Sequence, residues 1–300
     1  MPALVPPGYT RGPIMFLGPL IEKAVSDRLL QSFWDEAGSY GSRILIVPTA
    51  SADLAIADRY RSWFSGTDVE WLEVLPAADR QAARDERLVA MVETATGILI
   101  TDGNPLRFTS ILGGTPVAQA IRRANARGRV VCGLGRAATV LCQHIIAGET
   151  TKTGPGTAPG RFLRPDQVRF APGLGIVNRI ALDCGEGPAT DFHLQLSRLV
   201  TAVAHNPFLI GLGLEADTGI VVYADSTLEV FGTGSVVIVD GAQIEHTSIH
   251  QVDDESPLSI TNVQLQVLGN GYTYNLDSHT AKSPPESEIP QSGYEAYTSF

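Results

Sequence analysis

Short apolar runs alternate with amphipathic stretches through the first half of the chain. Ile14–Leu17, 43–48 (RILIVP), 97–101 (GILIT) and Val130–Leu134 are apolar at nearly every position, as strands buried on both faces are. Residues 69–75 alternate apolar and polar like a half-buried strand. Between these runs, 22–37 carries Ala24, Val25, Leu29, Leu30 and Phe33 at helical spacing. The stretches 54–64, 84–94, Pro116–Ala126 and 137–146 also read as helices, with Pro116 in a first turn where its missing N–H costs nothing. Strand–helix alternation of this kind predicts a mostly parallel sheet between two helical layers, an α/β/α sandwich of flavodoxin-like type. In such folds ligands gather beyond the carboxyl ends of the strands.

The pattern changes after Gly148. Residues 149–165 are rich in Gly, Thr and Pro and read as a long loop. A helix is expected over 192–204, broken by Asn206 and Pro207, and then the chain becomes β-like at 208–212, 219–223, 227–231 and 235–240. The pairs Asp240–Gly241 and Asn270–Gly271 are hairpin signals because both tolerate positive φ. Residues 1–280 therefore form one α/β domain with a C-terminal antiparallel β extension, and 281–300, with Pro284, Pro285 and Pro290, a flexible tail.

Composition narrows the function. Of 300 residues, 44% are hydrophobic and 18% charged, against about 25% charged in an average soluble chain, so a large core is affordable. The net charge of −10 repels nucleic acid and anionic membranes, and neither is an expected partner. The main basic cluster, Arg122, Arg123, Arg127 and Arg129, reads as one face of a helix and its exit. Three cysteines, Cys132, Cys142 and Cys184, lack disulfide-framework spacing, and no apolar run suits a signal or a membrane span. A cytoplasmic protein with free thiols is expected. His246 and His250 are spaced i, i+4 in a β-like region, where that spacing does not bring imidazoles together, and there is no CxxC. No metal and no cofactor are expected.

The strand and turn at 130–148 (VVCGLGRAATVLCQHIIAG) sit where a nucleophile elbow would lie. This segment resembles the elbow of the cyanophycinases, serine peptidases of family S51 with a class I glutamine amidotransferase-like fold, which cleave β-aspartyl-arginine units. Their Gly-Thr-Ser-Ala-Gly-Ala corresponds to Gly133-Leu134-Gly135-Arg136-Ala137-Ala138. RILIVPTASA at 43–52, GILITDGNPLRFTSILGGTP at 97–116, RLVTAVAHNPFLIGLGLEADTGIVV at 198–222 and FGTGSVVIVDG at 231–241 are similar to further blocks of that family, in the same order, over roughly residues 14–275.

The resemblance puts the nucleophilic serine on Gly135, which can form no acyl-enzyme. The family's Gly-Gly-Asp-Gln becomes Asp102-Gly103-Asn104-Pro105, and its Asp-Gln-His-Phe becomes Asp183-Cys184-Gly185-Glu186. The triad acid has only a loose counterpart in Glu149. The expected protein is thus a cyanophycinase-like pseudo-hydrolase. It would bind, or act without hydrolysis on, an amino-acid or dipeptide-like ligand carrying a cationic group, or scaffold a protein partner. The ligand would sit among Asp102, Asn104, Arg136, Asp183, Glu186 and Asp191. The alternative is an active hydrolase whose nucleophile has moved to Cys184 with His193 as base. Two further possibilities compete with these roles: Arg136 pairing with Asp102, and Asp191 capping the helix that carries His193. A homodimer is expected from the resemblance alone.

Overall fold

The computed structural model describes residues 3–53, 55–147, 163–185, 191–254 and 256–285. Its first half is wound as the periodicity requires. Strand β1 (Ile14–Leu17) leads to helix α1 (Lys23–Glu36), β2 (Arg43–Val47), α2 (Ala55–Ser65), β3 (Trp71–Val74), α3 (Glu86–Thr94), β4 (Gly97–Ile100), α4 (Pro105–Leu112), α5 (Pro116–Ala126) and β5 (Val130–Leu134). The five strands are parallel, in the order β1-β5-β4-β2-β3. Alternate side chains enter opposite layers. Ile14, Phe16, Leu45, Val47, Ile98 and Ile100 join the core beneath α3, α4 and α5. Met15, Leu17, Ile44, Ile46 and Leu99 pack with Val25, Leu29 and Phe33 of α1 and with Tyr60 and Phe64 of α2.

Two departures from the periodicity bear on the site. Helix α4 was not evident from apolar spacing; its signal is a cap, Asn104 accepting from the N–H groups of Leu106 and Arg107 with Pro105 in the first turn. The helix expected over 137–146 is instead a 3-10 turn over Gly135–Leu141 followed by the short strand β6 (His144–Ile146). Carbonyls that would have continued that helix accept from elsewhere: Val140 from the N–H of Leu174 at 2.7 Å, and Leu141 from those of Ile176 and Val177.

The second half builds another sheet on the first. β7 (Phe170–Pro172) pairs with β6, and then come β8 (Ile180–Asp183), α6 (Phe192–His205), β9 (Ile210–Leu214), β10 (Thr218–Val222), β11 (Thr227–Gly232) and β12 (Val236–Asp240). After a small ladder of β13 (His246–Thr247) and β14 (Ile260–Thr261), the chain adds β15 (Gln264–Leu268), β16 (Thr273–Asn275) and β17 (Thr280–Lys282). β10, β11, β16 and β17 extend the parallel sheet antiparallel from β1, making nine strands. β15, β12, β9 and β8 form a separate four-stranded sheet. One of its faces, through Ile210, Leu212, Val236 and Ile238, enters the main core. On the other, Val237 and Val239 pack under Leu199 and Val203 of α6.

Neither expected hairpin forms. β12 is followed by more than twenty residues before β15, its partner, and Asn270–Gly271 carries the chain from β15 in one sheet to β16 in the other. The antiparallel extension itself is present. Ala281 and Lys282 lie in β17, so ordered structure runs past the expected start of the tail, and the rest of that tail from 286 lies outside the described residues. No helix among the described residues is long and apolar enough to cross a membrane.

The two sheets are tied at Asp240, the buried last residue of β12. Its Oδ2 accepts from Tyr274 Oη of β16 at 2.8 Å and from His279 Nδ1 at 2.5 Å, and its Oδ1 from the Ala242 N–H at 2.9 Å. Burial pushes this carboxyl up, but the Ala242, His279 and Tyr274 bonds together outweigh it and hold Asp240 below the usual carboxylate range. Its stabilising contribution is therefore present above the unfolded-state value and lost as pH falls through the folded one. Tyr274→Phe, which removes one donor from a buried carboxylate, is expected to cost about 1–3 kcal/mol at neutral pH. Urea unfolding as a function of pH should show that loss shrinking on acidification.

Candidate functional site

β4 and β5 run side by side in parallel, with Ile100 opposite Gly133. Both strands end at the same edge of the sheet, so Asp102 and Gly135, two residues further along, emerge together. Gly135 begins the 3-10 turn at φ +51°, a left-handed conformation that L side chains rarely adopt. A β-carbon built on it would fall 2.5 and 2.6 Å from the two carboxylate oxygens of Asp102. The Asp102 carboxylate thus occupies the volume that a side chain at 135 would need.

Backbone donors fix it there. Asp102 Oδ1 accepts from the N–H of Gly103 at 2.7 Å and from that of Arg136 at 3.0 Å, and the Ala137 N–H also bonds the carboxylate. Convergent N–H groups at the start of such a turn are the kind of donors that stabilise an oxyanion in acyl-transfer enzymes. In this chain a carboxylate of the protein fills their reach. Burial lifts the pKa of Asp102. The three backbone bonds and the Arg136 charge pull the other way, and the carboxyl stays above its ordinary range.

The loop holding Asp102 is anchored to the end of β2. A β-carbon on Gly103 would meet the Ala50 carbonyl oxygen at 2.5 Å, and the Asn104 N–H donates to that same oxygen at 2.9 Å. Arg107 Nε donates to the Ser51 carbonyl at 3.2 Å. Tyr60 of α2 stands in the electrostatic reach of the same carboxylate. Burial pushes its phenol up to about 12, with Arg59 opposing and Asp102 adding to the rise.

The other expected site residues are engaged in local structure. Asn104 caps α4. Asp191 caps α6, accepting from the N–H groups of His193 at 2.9 Å and Leu194 at 3.2 Å. Asp183 Oδ2 accepts from Arg198 Nε at 2.6 Å and its Oδ1 from the Gly185 N–H at 3.0 Å, while Gln195 Nε2 donates to its carbonyl. The carboxylates of Asp183 and Asp191 thus each have local partners, and Asp102 and Asp183 both stand in the electrostatic reach of Cys184. Glu149 and Glu186 lie outside the described residues.

Cys184 and His193 are not brought together. The thiol is buried in the main core, where burial first, and then Asp183, Asp102 and Cys142, push it well above its ordinary value. The imidazole is exposed in the first turn of α6, against the ring of Phe192, and no hydrogen bond joins it to the thiol. Arg198 and Tyr60 are the polar residues that sequence reasoning missed. Arg198 reads as one more charge on an amphipathic helix until α6 is folded over the end of β8, and Tyr60 as one more apolar position of α2. Among the described residues no group of three or more His, Cys, Asp or Glu could hold a metal ion.

Comparison with known proteins bears on this edge of the sheet. The sequence profile of peptidase family S51 matches residues 18–182, which run from just after β1 into β8 and include both Asp102 and Gly135. A cyanophycinase of Geminocystis herdmanii is 34% identical over 275 residues, covering 90% of this chain and 96% of that protein. A cyanophycinase of Nostoc sp. is 32% identical over 278 residues, covering 91% and 89%. The crystal structure of a peptidase from an acI-B1 Actinobacterium superposes with a TM-score of 0.63 at 18% identity, covering 89% of this chain and 98% of that one. At that identity the likeness is one of fold.

The raised pKa of Asp102 has a thermodynamic sign. A carboxyl that holds its proton more tightly when folded loses stabilising influence as pH rises from the unfolded value through the folded one. The ionised, half-buried group is then a burden on the fold that grows as pH rises. Asn can keep the Gly103 and Arg136 bonds, because both address Oδ1. Asp102→Asn is expected to raise the melting temperature at pH 7 and to lose that advantage in acid. Thermal unfolding of both forms across pH checks it.

Proposed function

The chain belongs to peptidase family S51, and from that premise we propose that it binds an amino-acid or dipeptide-like ligand without serine-type hydrolysis. The observation that carries this reading is the Asp102 carboxylate over Gly135. Hydrolysis of the serine type needs a nucleophilic side chain at the elbow and vacant donors for the oxyanion beside it. Here residue 135 has no side chain, and a carboxylate accepts from the donors. A negative charge at that point also opposes a developing oxyanion.

The same carboxylate supports the ligand class. Its Oδ1 takes the Gly103 and Arg136 bonds, and the side chain keeps partial access to solvent at the carboxyl edge of the sheet. An amino or guanidino group would pair there with Oδ2, strengthened by the low dielectric of a recessed site. The reading with Cys184 as a relocated nucleophile finds no comparable support, since a buried thiol with a raised pKa supplies neither thiolate nor access.

Turnover of β-aspartyl-arginine tests the first half of the proposal. The wild-type protein and Gly135→Ser are both expected to show none above background, the variant because its new side chain meets the Asp102 carboxylate and no aligned imidazole serves it. Turnover by the wild-type protein that a serine-reactive phosphonate leaves intact would mean a different nucleophile and would end the proposal. Calorimetry with arginine tests the second half. Binding should weaken about tenfold in Asp102→Asn, as the loss of a charge-assisted bond implies.

A further inference from the structure

The opposite edge of the sheet carries a second feature that the elbow does not use. A cavity of about 340 Å³ opens there, lined by Pro6, Tyr9, Glu93, Ala124, Arg127 and Arg129. Arg127 is the C-cap of α5, and Arg129 immediately precedes β5, so the helix exit places both guanidinium groups on one cavity. The elbow lies at the far end of β5, about 16 Å along the strand at the usual rise per residue.

The walls are held by a buried amide. Asn125 is fully buried; its Nδ2 donates to the carbonyls of Gly12 at 2.9 Å, Pro13 at 3.3 Å and Arg129 at 3.1 Å. Its Oδ1 accepts from Arg11 Nη1 at 3.1 Å, and its backbone carbonyl from the Gly12 N–H at 2.8 Å. Arg11 also reaches back to the Ala3 carbonyl, and the Tyr9 N–H closes a turn onto Pro6 at 3.1 Å. One buried side chain thus fixes the segment before β1, which forms one wall, to the backbone of Arg129, which forms the other. Such preformed geometry lowers the ordering cost of binding.

The charges are unbalanced inside this frame. Glu93 is matched by Arg123, whose Nη2 lies 3.4 Å from its carboxylate. Among the described residues the guanidinium groups of Arg127 and Arg129 make no hydrogen bond or ion pair. Two like charges facing one cavity, in a chain of net charge −10, repel each other unless an anion lies between them. Guanidinium forks match the paired oxygens of phosphate and carboxylate groups, and a cavity of this size admits a small metabolite.

We infer that this cavity is a binding site for a small dianion, a phosphate monoester or a dicarboxylate, held between Arg127 and Arg129. The phosphate and dicarboxylate sources share the same chemistry, two or more negatively charged oxygens within reach of two guanidinium groups. The site is separate from the elbow and stands whether or not the elbow binds a ligand.

Calorimetry with inorganic phosphate and with succinate, each against acetate at matched ionic strength, tests it. At least one dianion should bind saturably where acetate does not, and the one that does identifies the source. Arg127→Gln with Arg129→Gln should weaken that binding about tenfold or more, as two lost charge-assisted contacts imply, with Asp102→Asn leaving it unchanged. Both arginines lie on the surface, and an unaltered circular dichroism spectrum would show that the double variant is folded. In the wild-type protein the bound dianion should slow hydrogen exchange at the Tyr9 amide. Absence of saturable binding by both dianions, undiminished binding by the double variant, or unchanged exchange at Tyr9 would each overturn the assignment.

Discussion

The register of β4 on β5 leaves room for one side chain where two loops leave the sheet. Ile100 faces Gly133, and two residues on, position 102 and position 135 compete for the same volume. With Asp at 102, residue 135 must lack a side chain, and its left-handed backbone makes glycine the natural occupant. The two identities are therefore one physical fact. It fixes the polarity of the site as well, because whichever residue fills the volume also meets the N–H groups of Arg136 and Ala137. A carboxylate there satisfies the donors internally and leaves the turn closed by the protein's own chemistry.

The parts of this arrangement that were legible in the sequence are those set by local pattern. Runs such as RILIV and GILI are apolar on both faces because both faces are covered, and their spacing with helices was enough to imply parallel winding. The resemblance around 97–116 and 130–148 drew attention to Asp102 and Gly135. It did not reveal that they touch, because that depends on a register between strands thirty residues apart. The helix expected after Gly135 failed for a related reason: Val140 and Leu141 give their carbonyls to residues 174–177, partners that no local window contains. Asp183 and Asp191 read in the sequence as members of a charged pocket, and their hydrogen-bond partners were not legible there. Their geometry is that of an ion pair with Arg198 and of a helix cap.

The two ends of the sheet carry opposite charges. At its carboxyl edge the notable charge is a half-buried carboxylate held by backbone donors. At its amino edge the chain concentrates guanidinium groups around a cavity framed by Asn125. The intervening strands are apolar and buried, and about 16 Å of β5 separates the two edges. The second sheet meets the carboxyl edge through β8, which packs against the turn that Gly135 begins. It also covers the main core and, through Asp240, locks the antiparallel extension in register with it.

That extension also imposes an order of events on the newly made chain. β1 has β5 on one side and β10 on the other, and β10 lies about two hundred residues later. Until that segment is synthesised, Ile14–Leu17 presents a bare row of backbone donors and acceptors beside a hydrophobic face. The parallel half can collapse early, but its inner strand is then an adhesive edge waiting for a distant partner. Slow closure and a premium on dilution or chaperone capture during refolding follow from that single long-range pairing.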